Sequence, residues 1–371
     1  MQIDAFKEEV CRVIVEADRF LTVKEESITD AVCESSPGSS NDYYSNGDYW
    51  WPNGNTEDGL PYVRKDGQSY PGAFSEHRRI LTDTSMAISA LTCAYLLIRE
   101  QKYLNKAISF MEVFFVHPKT RMNPSLIYAQ AIPGVCTGRG IGIIDTLHLI
   151  DTAISVKLLN DEIKDGEKSA VLEGVTSWFE QYLSWMLHHP YGISELNEHN
   201  NHSVCFCVQA ATFAAITDQK SVLILCKEKY IEYLNSQMAP DGSFPKELSR
   251  TKPYSYSLFI LDNLTTLAVL LSHELGDVLD LKGKEGQTLE KALDFIYPYI
   301  KDKSLWPFGI DVEHYDSLPI GFPFLLLAGS RLKKEHLTTL WRSLPHTSVD
   351  KEVMRNTAIK YPLLWMKFLE L

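Results

Sequence analysis

The chain has 371 residues, of which 45% are hydrophobic and 23% are charged, as in ordinary soluble globular proteins. Its formal net charge of −12 argues against nonspecific binding to nucleic acid or to an anionic membrane surface. The N-terminal stretch is amphipathic and acidic, unlike a signal peptide, and we expect no apolar segment to span a bilayer. The protein is expected to be periplasmic or secreted if a signal peptide was removed, and cytoplasmic otherwise.

Apolar residues recur at three- and four-residue spacing along most of the chain, which predicts a helical protein. The predicted helices cover residues 2–20, 82–99, 102–116, 143–160, 168–188, 203–217, 220–237, 257–275, 287–300 and 356–370. The alanine-rich helices among them start roughly 60 residues apart, a period typical of stacked helical hairpins. We predict an all-α fold, an (α/α) toroid, closed or incomplete, as a single domain over residues 1–371. A straight helical solenoid is the alternative.

Two long segments lack helical periodicity, residues 34–80 and 117–142. Loops of this length within a compact domain are usually lids or walls of a binding site. The first segment is dense in aromatic residues, and aromatic faces among polar groups fit sugar rings. Its candidates for substrate contact are Trp51, Tyr62 and Arg64. Alternatively, the aromatic side chains only anchor the loop to the helices.

The sequence HNNHS, residues 199–203, directly precedes an apolar helix. If Ser203 caps this helix, Asn201 and His202 lie at its end, facing the mouth of the fold. One alternative is that these side chains only satisfy backbone groups of the loop. Another is a metal site formed by His199, His202 and Glu195, but the surrounding proline, glycine and asparagine residues argue against the continuous helix that it needs. We therefore expect no metal.

A second polar cluster, within residues 240–264, also leads into an apolar helix, which is predicted to begin near Ser257. Lys246 and Arg250 bring positive charge, and Tyr254 and Tyr256 lie at the entry to the helix. If neighbouring inner helices start at the same rim, Tyr256 faces the histidine of the first cluster across one groove.

Asparagine, histidine, tyrosine and arginine together fit the β-elimination of a 4-linked uronic acid chain. The reaction removes the C5 proton beside the carboxylate, and amide and imidazole donors can neutralise that carboxylate and hold the developing enolate-like charge. A tyrosine hydroxyl can act as the base if neighbouring positive charge stabilises its phenolate. In β-D-mannuronate and β-D-glucuronate, H5 and O4 lie on the same face, so one tyrosine can take the proton and return it to O4.

Three segments carry a resemblance to a known family: NNHS, DGSFPKELSRT followed by YSYS, and RMNPSLIYAQAIPGVCTGRGIGIIDT. They resemble the alginate lyase superfamily, which includes polysaccharide lyase family 5 and the glucuronan lyases of family 38. The similarity extends roughly from Trp50 to Leu271. It implies an α/α toroid and β-elimination of an acidic polysaccharide or oligosaccharide without a cofactor.

The resemblance also implies roles for single residues. Asn201 and His202 would neutralise the substrate carboxylate, Tyr256 would be base and acid, and Arg250 would tune the tyrosine. Tyr254 competes with Tyr256, because the spacing between the arginine and the tyrosine varies among relatives. In a further variant His202 is the base and Tyr256 the acid.

Substrate-binding residues are implied in the same way. Tyr128, Gln130 and Arg139 resemble the wall that grips the sugar chain, and Lys246 is a further candidate. The chain departs from its relatives at 204–207, where VCFC stands in place of aromatic or acidic residues. This departure leaves the preferred sugar open, while the two cysteines are expected to pack in the core.

Two other functions fit the same fold class. An inverting glycoside hydrolase needs two carboxylates about 6.5–9.5 Å apart. The candidates are Glu57, Asp58, Asp145 and Asp241, most of which suit turns or helix caps equally well. The other alternative is a non-catalytic protein that binds acidic polysaccharide.

Overall fold

The computed structural model describes residues 6–164 and 166–371, so the first residues of the predicted helix 2–20 lie outside the described part. Helices dominate this part, as the sequence predicts. Their bounds are α1 Lys7–Leu21, α2 Glu76–Ile98, α3 Gln101–Met111, α4 Leu149–Glu162, α5 Glu167–His188, α6 Pro190–Leu196, α7 Asn201–Ile216, α8 Lys220–Ser236, α9 Pro245–Leu248, α10 Pro253–Leu275, α11 Leu289–Lys301, α12 Pro323–Arg331, α13 Glu335–Ser343, α14 Lys351–Arg355 and α15 Pro362–Phe368. Short strands are β1 Tyr44–Asn46, β2 Trp50–Trp51, β3 Val63–Arg64 and β4 Tyr128–Ala131.

The chain forms two compact units. Unit 1 contains the residues up to Lys65, Ser69–Ser194 and Leu363–Glu370; unit 2 contains Asp66–Gln68, Glu195–Pro362 and Leu371. The single domain over 1–371 stays a prediction, and residues 1–5 and 165 of it lie outside the described residues.

In unit 1, α2 is the central helix and packs against α1, α3 and α4. Residues 34–80 are less irregular than predicted. They contain β1, which pairs with β4 in parallel, and the antiparallel hairpin of β2 and β3. The helix predicted from residue 82 begins earlier, at Glu76. The prediction placed its start too late because the first turn is polar and lacks the apolar spacing from which helices are predicted.

In unit 2, α7 is the central helix and packs against both α8 and α10. Every residue of α7 is buried except His202, which is partly exposed. The apolar stretch 204–207 therefore packs in the core, as expected of its two cysteines. Because the rest of α7 is buried, a ligand can contact this helix only at its N-terminal end.

The start of α7 differs from the prediction. Asn200, not Ser203, is the capping residue: its Oδ1 accepts a hydrogen bond from the His202 backbone N–H at 2.9 Å. The Ser203 hydroxyl instead donates to the Asn200 carbonyl at 3.1 Å. An asparagine caps as well as a serine, so the first good capping residue of HNNHS starts the helix.

Helix α10 begins at Pro253, one turn earlier than the predicted start near Ser257. Proline is tolerated in the first turn because its missing N–H is not needed there. Asp311, distant in sequence, accepts hydrogen bonds from the backbone N–H groups of Tyr254 and Ser255, both at 2.8 Å. Tyr256 thereby lies in a fixed first turn.

We expect Asp311→Ala to lower the free energy of unfolding by about 1–2 kcal/mol, because it removes the cap of α10. Urea titration followed by circular dichroism measures the change. Asp311→Asn keeps one acceptor oxygen and should lose less. Equal stability of the alanine variant and the parent would show that α10 does not depend on this cap.

Two features of the C-terminal part were not predicted. Helices α12, α13 and α14 were missed, and the predicted helix 356–370 is shorter than expected, because only α15 lies within it. Helices α2 and α10 are long and apolar enough to cross a membrane, judged by length and composition alone. The expectation that no segment of the chain has these properties was therefore wrong. Most of each apolar window is buried inside the protein, as in the core helices of soluble proteins.

Candidate active site

Asn201, the first residue of α7, is held by Glu247 of α9. The Asn201 backbone N–H donates to Glu247 Oε1 and its side-chain Nδ2 donates to Oε2, both at 2.8 Å. Both residues are buried. Burial raises the pKa of Glu247, against the opposing effects of the Asn201 hydrogen bonds and the charges of Arg250 and His202.

His202 is oriented by Glu195. Its Nδ1 lies 2.7 Å from Glu195 Oε1, and since a carboxylate only accepts, Nδ1 carries the proton and Nε2 is the ring nitrogen left for a ligand. Burial lowers the pKa of His202, but the charge and hydrogen bond of Glu195 outweigh burial, so the pKa lies above its ordinary value. This shift favours the imidazolium form, which donates from both nitrogens, more than in an ordinary histidine.

We expect Glu195→Gln to lower the pKa of His202, because the substitution removes the charge that raises it. A histidine-detected NMR titration measures the shift, with the signal assigned by its loss in His202→Gln. His314, which pairs with Asp350 at 2.6 Å, is a matched control within the same protein, and its NMR signals should be the same in the parent and the variant. An unchanged His202 titration would mean that Glu195 does not set its charge.

Tyr256 lies beneath the guanidinium of Arg250. Arg250 Nη2 is 3.0 Å from the Tyr256 hydroxyl oxygen, and its Cζ lies 4.2 Å from the centre of the ring. Asp66 accepts from Arg250 Nε at 3.2 Å and from Nη2 at 2.9 Å, which fixes the plane of the guanidinium. Burial opposes the charge of Arg250, but the bonds to Asp66 raise its pKa above the ordinary value.

Glu247 connects the two polar clusters predicted from the sequence. It bonds Asn201 directly, and it interacts electrostatically with both His202 and Arg250. Because Arg250 in turn contacts Tyr256, the four predicted catalytic residues form one connected group in unit 2. The N-terminal ends of α7 and α10 therefore lie close together in unit 2. The sequence analysis expected this if neighbouring inner helices start at the same rim.

The two tyrosines at the start of α10 differ in their surroundings. Tyr254 is fully buried, and its hydroxyl donates to the Tyr299 carbonyl at 3.1 Å. Burial also raises the pKa of Tyr254. Tyr256 is only partly buried and contacts Arg250. Lys246, the other predicted contact in this region, is exposed on α9.

The predicted wall residues Gln130 and Arg139 lie in unit 1 and contact each other. Arg139 Nε donates to the Gln130 carbonyl at 2.9 Å, and Nη2 to its side-chain Oε1 at 3.1 Å. Gln130 is buried, has a positive φ of 55°, and donates from Nε2 to Asp145 at 3.0 Å. Burial lowers the pKa of Arg139.

The remaining predicted contacts in unit 1 are at or near the short strands. Trp51 of β2 has Lys65 Nζ 4.2 Å from its ring centre and Tyr70 at 5.1 Å. Arg64 of β3 is exposed, and Tyr62 is partly exposed. Tyr128, in β4, is partly exposed. These rings pack on neighbouring side chains while keeping exposed surface, so both readings of the aromatic loop stand.

The carboxylates considered for a glycoside hydrolase have structural positions. Asp58 accepts from the Leu60 backbone N–H at 3.0 Å, and Asp241 accepts from that of Ser243 at 2.9 Å, as in turns. Asp145 is buried and accepts from the Tyr43 and Ser45 hydroxyls. Glu57 is exposed. Among residues 6–164 and 166–371, no group of three or more His, Cys, Asp or Glu has the arrangement of a metal site.

Comparison with known proteins decides the family. The family model for alginate lyase matches residues 27–306. The chain belongs to the alginate lyase family. An alginate lyase from Bacteroides ovatus, known from a crystal structure, is 30% identical in sequence to this chain and superimposes on it with a TM-score of 0.81. The matched region covers 95% of this chain and 92% of the Bacteroides ovatus chain. A comparison with curated proteins gives no match.

More distant alginate lyases share the fold. Two variants of alginate lyase A1-III complexed with tetrasaccharide, one with a histidine replaced by alanine and one with a tyrosine replaced by phenylalanine, each have a TM-score of 0.54. They are 14% and 15% identical, cover 86% of this chain, and are covered over 84% and 82% of their own length. The predicted α/α toroid fold class is confirmed, and this alginate lyase family member is a polysaccharide lyase.

Three carboxylates of the site were missed or misassigned from the sequence. Glu195 was considered only as a metal ligand, whereas it orients His202. Glu247 was not singled out, although a glutamate so close to the arginine was a signal that charge is paired there. Asp66 lies in the long aromatic segment, and nothing in the sequence connects it with Arg250.

Proposed function

We propose that this polysaccharide lyase cleaves β-1,4-linked polymannuronate or glucuronan by syn β-elimination. Asn201 and His202 neutralise the C5 carboxylate, which makes the C5 proton acidic enough to remove. Tyr256 takes that proton and returns it to O4 of the leaving sugar, and the C4–O4 bond breaks as the C4=C5 double bond forms.

The contact between Arg250 and Tyr256 carries this proposal. A guanidinium 3.0 Å from the hydroxyl oxygen stabilises the phenolate that a base requires. Asp66 accepts from Nε and from the same Nη2, so Arg250 remains oriented when the tyrosine proton moves. Tyr254 is fully buried and its hydroxyl donates to the Tyr299 carbonyl, which favours Tyr256 of the two.

The raised pKa of His202 bears on the choice between base and neutraliser. A general base must be free to accept a proton, whereas the Glu195 contact favours the protonated ring. A protonated His202 is suited to donate from Nε2 to a carboxylate. We therefore assign His202 to the substrate carboxylate and not to the C5 proton.

The substrate class follows from the family. The Bacteroides ovatus protein is an alginate lyase, and we extend that acidic substrate class to this chain. The exposed Lys246 brings positive charge to the unit that contains Asn201 and Tyr256, in a protein whose net charge is −12. Syn elimination by one tyrosine requires H5 and O4 on one face, so β-mannuronate and β-glucuronate are favoured over α-guluronate.

A panel of polymannuronate, polyguluronate, glucuronan and heparin-like chains tests this function. We expect ultraviolet absorbance from the unsaturated uronate to grow with polymannuronate or glucuronan. Mass spectrometry should find each new non-reducing end lighter by one water than a hydrolysis product. Cleavage of polyguluronate alone would contradict the syn geometry, and products of hydrolytic mass would revive the glycoside hydrolase alternative.

A further inference from the structure

The contacts of Glu247 point to a role beyond the four proposed catalytic residues. We infer that Glu247 is a positioning residue, which sets the amide of Asn201 so that one of its N–H groups faces the substrate carboxylate. The inference rests on the proposed function of Asn201. It starts from the two hydrogen bonds by which one carboxylate holds both the backbone and the side chain of the same residue.

The two bonds fix which way the amide points. A carboxylate accepts only, so the group of Asn201 that faces Glu247 Oε2 must be the Nδ2 donor and not Oδ1. Nδ2 has two hydrogens, and one is used by Glu247. The second hydrogen on the same nitrogen is then left for a substrate carboxylate, while a flipped amide would present Oδ1 and repel it.

Only the ionised form of Glu247 satisfies both donors fully. A protonated Oε2 would place an O–H group where Nδ2–H must donate, so the amide would lose its orientation. The groups that act on Glu247 are Asn201 and His202 from α7 and Arg250 from the segment after α9. Burial raises the pKa of Glu247, so its ionisation is lost at a higher pH than for an exposed glutamate.

Glutamine is the informative substitution at this position. It has nearly the same shape as glutamate, but it offers one acceptor where two donors must be satisfied. We expect Glu247→Gln to lower kcat/KM by about 10-fold or more but by no more than Asn201→Ala does, because a residue that acts through Asn201 can cost at most the loss of that donor, about 100-fold. In the parent, kcat/KM should decrease as the pH is lowered and Glu247 becomes protonated. This decrease on the acid side of the pH profile should be absent in Glu247→Gln.

A double-substitution cycle distinguishes positioning from a merely structural role. If Glu247 acts through Asn201, then Glu247→Gln should cost less than about threefold once Asn201 has been replaced by alanine. Glu195→Gln is the matched control, because it acts through His202 and its loss should multiply with that of Asn201→Ala. All variants are measured below their melting transitions on the polymer that the parent cleaves best.

The outcomes are separable. If Asn201→Ala keeps near-normal turnover, the proposed function of Asn201 fails, and the inference fails with it. If Asn201→Ala is impaired but Glu247→Gln is fully active, or its loss multiplies with that of Asn201→Ala, the inference alone is overturned. An acid limb that persists unchanged in Glu247→Gln also overturns it.

Discussion

Tyr256→Phe is expected to lower kcat by about 10³-fold or more, with little change in the affinity for substrate. The substitution removes only the hydroxyl that lies 3.0 Å from Arg250, and with it both the base and the acid of the proposed elimination. The cation–π contact of the ring, at 4.2 Å, is retained, so the fold of the site should persist. Ultraviolet absorbance measures turnover, and calorimetry with a tetrasaccharide measures binding.

Tyr254→Phe is the matched control. It removes a hydroxyl two positions away on the same helix, and this hydroxyl donates to the Tyr299 carbonyl inside the core. We expect the variant to lose about 1 kcal/mol of stability and to keep near-normal turnover. The reverse pattern, an active Tyr256→Phe and an inactive Tyr254→Phe, would transfer the role of the base to Tyr254.

Asn201→Ala is the second large effect: kcat should fall by about 100-fold, because one donor to the developing charge is lost. Binding should weaken less than turnover, since the charge on the substrate carboxylate region grows in the transition state. Steady-state kinetics on the preferred polymer gives both parameters. A variant that raises KM alone would show that Asn201 binds the substrate but does not assist the elimination.

Asn200→Ser controls for damage to the helix start. Asn200 caps α7 through its bond to the His202 N–H, and serine is an equally good capping residue. We expect this variant to keep both its melting temperature and its activity. A loss as large as that of Asn201→Ala would mean that the start of α7, and not the Asn201 amide, determines the rate.

The sequence allowed the helical architecture to be predicted because the helices repeat their apolar spacing over long stretches. Helix α7 is a clear case: residues 203–217 were predicted, and Asn201–Ile216 are observed. Starts were less predictable where a cap comes from elsewhere. Asp311 accepts hydrogen bonds from the first turn of α10, and no local pattern around Pro253 indicates a carboxylate so distant in the chain.

The residues proposed for catalysis could be selected from the sequence because each lies in a local pattern. Asn201, His202, Arg250 and Tyr256 lie in two local motifs, and each motif is next to the start of a long apolar helix. Their carboxylate partners do not share this property. Glu247 was hidden in a short polar helix, and Asp66 reaches Arg250 from a segment in which aromatic residues dominate the pattern. Pairing across such distances is determined by tertiary packing.

If Asn201 and Tyr256 act in the removal of the C5 proton, a kinetic isotope effect at C5 should report on that step. Polymannuronate or glucuronan with deuterium at C5 is compared with the ordinary polymer in the parent and in Asn201→Ala. Because Asn201→Ala slows proton removal, that step should become rate-limiting in the variant. The ratio of kcat on the ordinary polymer to kcat on the deuterated polymer should then lie well above unity in the variant, and it should equal or exceed the ratio in the parent. A ratio of unity in Asn201→Ala, at a reduced kcat, would contradict the account.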